Sequence, residues 1–182
     1  MSASTRYQTI SVEDRRSGSA VDIFYREAGA KDAPVVLLLH GFPSSSHQYR
    51  GLIDRLSGKY RVIAPDLPGF GFSDAPQAKA FSYTFDHLAE VIEGFTDALR
   101  LTRYALYVFD YGAPVGFRLA VSRPERIAAL ISQIGNAYQE GLSDGWNPIR
   151  AYWESPTAEN LNNLRAFLHG GTTKFQYQLG EA

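Results

Sequence analysis

The chain predicts an α/β fold: a mostly parallel, twisted sheet with helices on both faces. Three observations carry this. Short apolar runs with strand composition alternate with segments whose apolar residues recur at helical spacing, the pattern of strand–helix–strand units. Two of the runs, Ala33-Pro-Val-Val-Leu-Leu-Leu39 and Tyr104-Ala-Leu-Tyr-Val-Phe109, have no polar alternation, as strands covered on both faces require. The second run stops abruptly at Asp110, and Gly112 and Ala113 follow, which reads as a tight strand-to-helix turn.

Taken in order, Gln8 to Glu13 and Ala20 to Glu27 form a hairpin at a sheet edge. Val21, Ile23 and Tyr25 alternate with Asp22, Phe24 and Arg26, and Gly18 supplies the turn. The apolar run ending at Leu39 is a central parallel strand. Ser44, Ser45 and Ser46 are N-cap candidates for a helix with the stripe Tyr49, Leu52, Ile53 and Leu56, closed by Gly58. Tyr60 to Ala64 is a strand, and Pro65 to Asp74 is a loop rich in glycine and proline. Thr84 caps a helix with Phe85, Leu88, Val91, Ile92, Phe95 and Leu99 on one face. After the strand ending at Asp110 come a helix to about Ser122, a break at Pro124 and a strand from Ile127 to Ile134.

From Gly135 the rhythm changes. Tyr138, Trp146, Tyr152 and Trp153 stand among glycines and prolines. Ser155-Pro-Thr-Ala-Glu159 starts a helix with proline in its first position, Leu161, Leu164, Phe167 and Leu168 form its apolar face, and Gly170-Gly171 ends it. Thr172 to Ala182 begins another short helix. The expected organisation is a core over residues 1–135 and part of a helical cap over 136–182.

Composition narrows the function classes. With 45% hydrophobic and 20% charged residues, the chain is an ordinary globular one. Its formal net charge of −1 offers no electrostatic footprint for nucleic acid or a membrane surface. It contains no cysteine, which excludes disulfides, thiolate nucleophiles and cysteine zinc sites. Met1 to Ile10 lacks the apolar segment of a signal peptide, and no run is long enough to span a bilayer, so a cytoplasmic location is expected. No His/Asp/Glu cluster has ligand spacing, so no metal and no cofactor is expected. Pro68-Gly-Phe-Gly71 does not continue as a phosphate-binding turn into a helix, and no Gly-Lys-Ser/Thr triplet occurs, so a nucleotide site is disfavoured.

The turn at Asp110 is the candidate chemical centre, because it displays a side chain at the carboxyl edge of the sheet. An aspartate after a strand is also a common helix N-cap. Both readings stand on this stretch alone.

Four stretches in order resemble the α/β-hydrolase superfamily: Leu39-His-Gly-Phe-Pro43, Tyr60 to Asp74 with its Pro-Asp-Leu-Pro-Gly-Phe-Gly, the turn at Asp110, and the strand ending near Gly135 before a cap. The closest likeness is to the branch with an aspartate nucleophile, the epoxide hydrolases and the haloalkane or haloacid dehalogenases. Val108 stands where the usual Gly-x-Ser-x-Gly elbow has its first glycine, which is nearer the dehalogenase form of the turn.

The resemblance implies that Asp110 is the nucleophile, forming an alkyl-enzyme ester, and that the backbone N–H groups of Phe42 and Tyr111 form the oxyanion hole. It implies a cis Phe42-Pro43 bond. It also argues against halide binding of the haloalkane type, which uses an asparagine after His-Gly and a tryptophan after the nucleophile; here these are Phe42 and Tyr111. His-Gly-Phe-Pro is the pattern of epoxide hydrolases and fluoroacetate-type dehalogenases. Epoxide opening needs a cap tyrosine as proton donor, for which Tyr152 is the candidate, beside Trp153 and with Tyr138 behind it. An apolar lid contact is the other reading of Tyr152 and Trp153.

In such proteins an acid and a histidine follow the nucleophile along the chain, and two further strands follow the cap. None of His40, His47, His87 and His169 occupies the place of that base. His40 reads as structural, His47 and His87 as solvated or capping residues in first helical turns, and His169 as a helix-end residue. The sequence is therefore expected to stop within the cap, with the last strands missing. Without a base, turnover is expected to be negligible, and the strand Ile127 to Ile134 is expected to be an exposed apolar edge open to self-association. The expected substrate is a small apolar organic molecule: epoxide, haloalkane or haloacid. The competing function is a catalytically inactive interaction module of the same fold.

Overall fold

The computed structural model describes residues 4–166 and 169–178. The chain divides into two compact units, Met1–Ala137 and Tyr138–Ala182.

The first unit holds a six-stranded sheet. Its strands are β1 (Arg6–Glu13), β2 (Ala20–Ala28), β3 (Val35–Leu39), β4 (Arg61–Pro65), β5 (Tyr104–Phe109) and β6 (Ile127–Gln133). They lie side by side in the order β1-β2-β4-β3-β5-β6. The hairpin β1–β2 and the pair β2–β4 are antiparallel; β4, β3, β5 and β6 run parallel. Strand β3 is central, as its unbroken apolar run requires, and its last four residues are all buried.

Alternation along the strands builds two apolar layers. Leu37 and Leu39 of β3, Ile63 of β4, and Leu106 and Val108 of β5 face one side. There they meet Ile92 and Phe95 of α2 (Phe85–Ala98) and Leu119 of α3 (Gly112–Ser122). Val36, Leu38, Val62 and Ala64 face the other side, against Tyr49 and against Ile53 of α1 (Arg50–Leu56), which a short 3₁₀ turn, Ser46–Tyr49, precedes. A side chain such as Phe95 or Ile53, fully buried, contributes roughly 2 kcal/mol of transfer free energy. Helix α2 begins where the sequence places its cap: the Thr84 hydroxyl oxygen accepts the His87 N–H at 3.2 Å.

The α1 side of the sheet is only partly covered. An open apolar groove of about 690 Å³ lies beside α1, lined by Val36, Leu52, Leu56, Tyr107, Ala129 and Ile131 among others. Strand β6 is one of the two edge strands, and its Leu130 and Ile131 are 45% and 48% exposed. It ends one residue earlier than its composition suggests, since Ile134 has a left-handed backbone (φ 50°) that leaves the strand.

The second unit contains α4 (Asn147–Glu154), α5 (Ala158–Ala166) and α6 (Gly170–Gln178), and here the boundaries differ from the expected ones. Residues 147–154, to which the sequence pattern assigns no element, are a helix with Pro148 in its first turn, where a missing N–H removes no helical bond. The next helix starts at Ala158, not at Pro156, because Thr157 takes the capping role: its hydroxyl oxygen accepts the Asn160 N–H at 3.2 Å. The Asn160 side-chain amide also donates to the carbonyls of Ala151 and Ser155, tying α4 to α5. Gly170 opens α6 and does not serve as the terminator expected at Gly170-Gly171. Phe167 and Leu168, assigned to the apolar face of that helix, lie outside the described residues. Among the described residues no helix is long and apolar enough to cross a membrane.

Candidate functional site

Asp110 follows the last residue of β5 and has a left-handed backbone, φ 48°, uncommon for a residue with a side chain. Such a conformation turns the chain sharply, and α3 starts two residues on. Its carbonyl accepts the Ala113 N–H at 2.9 Å. The turn is this tight because Gly112 lies against β3: a Cβ there would stand 2.2 Å from the Leu39 carbonyl oxygen. Gly116, one helical turn further, allows the same approach, since a Cβ would stand 2.3 Å from Val108 Cγ1.

The Asp110 side chain does not act as a cap for the second or third residue of α3. Its Oδ1 accepts two backbone N–H groups, from Phe42 at 2.8 Å and from Tyr111 at 2.7 Å. No protein group among the described residues donates to Oδ2. Two amides converging on one oxygen stabilise negative charge there while the other oxygen keeps its lone pairs. The Phe42-Pro43 bond is cis, as expected.

The loops that aim these groups are pinned by buried polar residues. His40 is fully buried; its Nδ1 donates to the Gly41 carbonyl at 2.9 Å and its Nε2 accepts the Leu67 N–H at 3.0 Å. Burial pushes its pKa down, opposed by the Gly41 hydrogen bond and the charges of Asp66 and Asp110, and the neutral ring is the form that Nε2 needs to accept. Both ring nitrogens are thus engaged, which fits the structural role read from the sequence.

Asp66, also fully buried, was not singled out by sequence reasoning. Its Oδ1 accepts the Ser46 N–H at 2.7 Å and its Oδ2 the Phe72 N–H at 2.9 Å, which staples the loop after β4 to the loop after β3. Gly71 (φ 55°) makes the approach possible, since a Cβ there would stand 2.0 Å from Asp66 Oδ2. The readable signal was an acid directly after an apolar strand and before a glycine-rich loop.

His87 departs from the expectation of a solvated or capping residue. Its backbone N–H is capped by Thr84, but its ring is 2% exposed, stacked on Phe81 at 4.1 Å, with Nε2 2.7 Å from Asp14 Oδ1 and Nδ1 3.0 Å from the Ser82 carbonyl. Asp14 also accepts Ser17 Oγ and the Arg16 N–H. His47 is exposed, in accord with its expected place.

Of the sequence-predicted site residues, Asp110, Phe42 and Tyr111 are brought together in the first unit. Tyr138, Tyr152 and Trp153 belong to the second. There Tyr152 is half-buried on α4, Trp153 is exposed on the same helix with its ring 6.2 Å from Trp146, and Tyr138 is exposed. The groove beside α1 does not include Asp110 among its lining residues.

Comparison with known proteins adds a family context. Residues 34–170 match the family model described as alpha/beta hydrolase fold. The chain is 50% identical over 151 residues to an uncharacterized hydrolase of Saccharomyces cerevisiae, covering 82% of this chain and 50% of the relative. It is 42% identical over 144 residues to a haloalkane dehalogenase of Mycobacterium marinum, covering 79% of this chain and 44% of the relative. Among solved structures it matches a haloalkane dehalogenase from Bradyrhizobium elkani at TM-score 0.66 and 31% identity, over 72% of this chain and 42% of that one. An epoxide hydrolase from Vigna radiata matches at TM-score 0.62 and 37% identity, over 70% of this chain and 39% of that one. The chain spans about half the length of the curated relatives it matches.

Proposed function

The chain belongs to the alpha/beta hydrolase fold family, and from that premise we propose that Asp110 is the nucleophile of an epoxide-hydrolase-like site. The observation that carries this reading is the seating of Oδ1 on the Phe42 and Tyr111 amides with Oδ2 left open. Asp110 Oδ2 attacks an sp³ carbon of a small apolar organic substrate. An epoxide C–O bond breaks in that step, and a hydroxyalkyl ester forms on the carboxylate. When water adds to the ester carbonyl, negative charge develops on the oxygen that the two amides hold, so the same pair of donors serves as an oxyanion hole. Haloalkane and haloacid substrates would react through the same displacement, with halide as leaving group.

In this reading residues 136–182 are part of a helical cap, and its tyrosine Tyr152 is the proton donor to the epoxide oxygen, with Tyr138 and Trp153 the other candidate cap residues. The protein works in the cytoplasm. Hydrolysis of the ester needs a base, and among the described residues the nitrogens of His40 and of His87 are already committed. In this reading none of the four histidines serves as that base, and the 182 residues alkylate once and turn over negligibly. Intact-mass measurement after incubation with an excess of a reactive epoxide tests this. A single stable adduct per chain is expected, absent in Asp110→Asn; steady multiple turnover by the chain alone would contradict it.

A second reading, an interaction module, draws on one feature, the uncovered edge β6 with Leu130 and Ile131 exposed. An apolar strand with unpaired N–H and C=O groups associates with another strand, and a second copy of this chain presents one.

A further inference from the structure

Parallel strands are ordinarily buried on both faces, and β5 and β6 are not. Leu106 and Val108 of β5 face the core shared with α2 and α3. On the other face Ile53 of α1 clusters with Val36 and Val62, and past α1 the sheet is open. The groove of about 690 Å³ lies there. Strand register shapes its floor: Ala105 lies beside Ala129, and Tyr107 beside Ile131. The alanines keep the middle of the floor low, while Leu52 and Leu56 of α1 form one wall.

The two ends of the groove differ. Pro34, Tyr60 and Arg103 immediately precede β3, β4 and β5, and all three line it. Pairing of Val35 with both Arg61 and Tyr104 sets them at one end. Among the described residues Arg103 is the one ion in the lining; it is exposed, and no carboxylate pairs with it. The other end, at Tyr107 and Ile131, carries no charge. From Arg103 to Tyr107 the strand advances about 13 Å, the reach of an extended alkyl chain of about ten carbons. Asp110 follows the far end of β5, so the groove owes nothing to the nucleophile reading.

A concave site of this volume, with apolar walls and few polar groups, is the form that takes a small molecule. We infer that the groove binds one fatty acid, a single-chain alkyl carboxylate, with its head on Arg103 and its tail over Ala105 and Ala129 toward Ile131. The guanidinium donates two parallel N–H···O bonds to the carboxylate, which fixes the head and selects its charge. The tail takes its place on apolar surface that otherwise faces water. An alkyl cation of the same length buries the same tail but brings like charge to Arg103. Binding is reversible and involves no covalent step.

Isothermal titration of the full chain with decanoate and with decyltrimethylammonium, each below its micelle concentration, tests this. One decanoate per chain is expected, bound about tenfold or more tighter than the cation. Arg103→Glu, at an exposed side chain, is expected to reverse that order with far-UV circular dichroism unchanged. Ala129→Trp, also at an exposed position, fills the floor and is expected to weaken both ligands by about tenfold. Equal binding of the two ligands would overturn the inference, as would an order that survives Arg103→Glu or an affinity untouched by Ala129→Trp. Decanoate binding that disappears as the chain self-associates would assign the groove to a second copy and overturn it too.

Discussion

A Cβ placed on Gly41 would stand 2.5 Å from the Cβ of Asp110 and 2.8 Å from its Oδ1. The loop after β3 thus meets the turn after β5 with room for no side chain at that point, and this closeness is what brings the Phe42 amide onto Oδ1 at 2.8 Å. Gly41→Ala forces the two segments apart. Adduct formation with a reactive epoxide is expected to fall by on the order of 100-fold, with far-UV circular dichroism unchanged, because a displacement near 1 Å at a reacting group has that effect.

Gly112 has a structural task at the same turn. A Cβ there would stand 2.2 Å from the Leu39 carbonyl oxygen and 2.6 Å from its carbon, and backbone cannot swing aside as a side-chain end can. Gly112→Ala is expected to destabilise the fold by roughly 3 kcal/mol, read as a lower urea midpoint at unchanged slope.

Burial works against ionisation of Asp14, yet hydrogen bonds from Ser17, His87 and the Arg16 N–H hold its pKa down at about 2. A carboxyl whose folded value lies below its unfolded value of about 4 contributes stability that is fully present above pH 4. That stability is lost as pH falls from about 4 through the folded value of about 2. Chemical denaturation across this window is expected to show a steeper acid loss in the native chain than in Asp14→Asn, which is less stable at neutral pH and flatter below it.

Ile131 lies on the edge strand β6 and lines the groove beside α1. Ile131→Lys puts a charge on the open edge, a device that blocks strand pairing. Sedimentation velocity is expected to show concentration-dependent association of the native chain and a shift toward monomer in the variant. A native chain that remains monomeric at high concentration would contradict the edge-association reading.

Sequence reading succeeded where the determinants are local. The apolar run Val35–Leu39 could only be an inner strand, Thr84 could cap α2 from its own neighbourhood, and Asp110-Tyr-Gly112 marked its own turn. It failed where the decisive partner is remote. His87 sits in a first helical turn like a solvated residue, and only the fold brings Asp14, 73 positions away, to its ring. Asp66 reads as one more loop acid until Ser46 and Phe72 turn their amides onto it. In the second unit the competing start signals Pro148, Pro156 and Thr157 lie close together. Side-chain capping by Thr157, not the proline rule, decides where α5 begins.

Asp110 Oδ2 is the open oxygen of a carboxylate whose other oxygen is held by two amides. Peptide mapping by tandem mass spectrometry of the chain treated with styrene oxide tests this most directly. The added mass is expected on Asp110, as an ester released by hydroxylamine. Modification spread over exposed carboxylates such as Asp22 and Asp74, with Asp110 untouched, would contradict it.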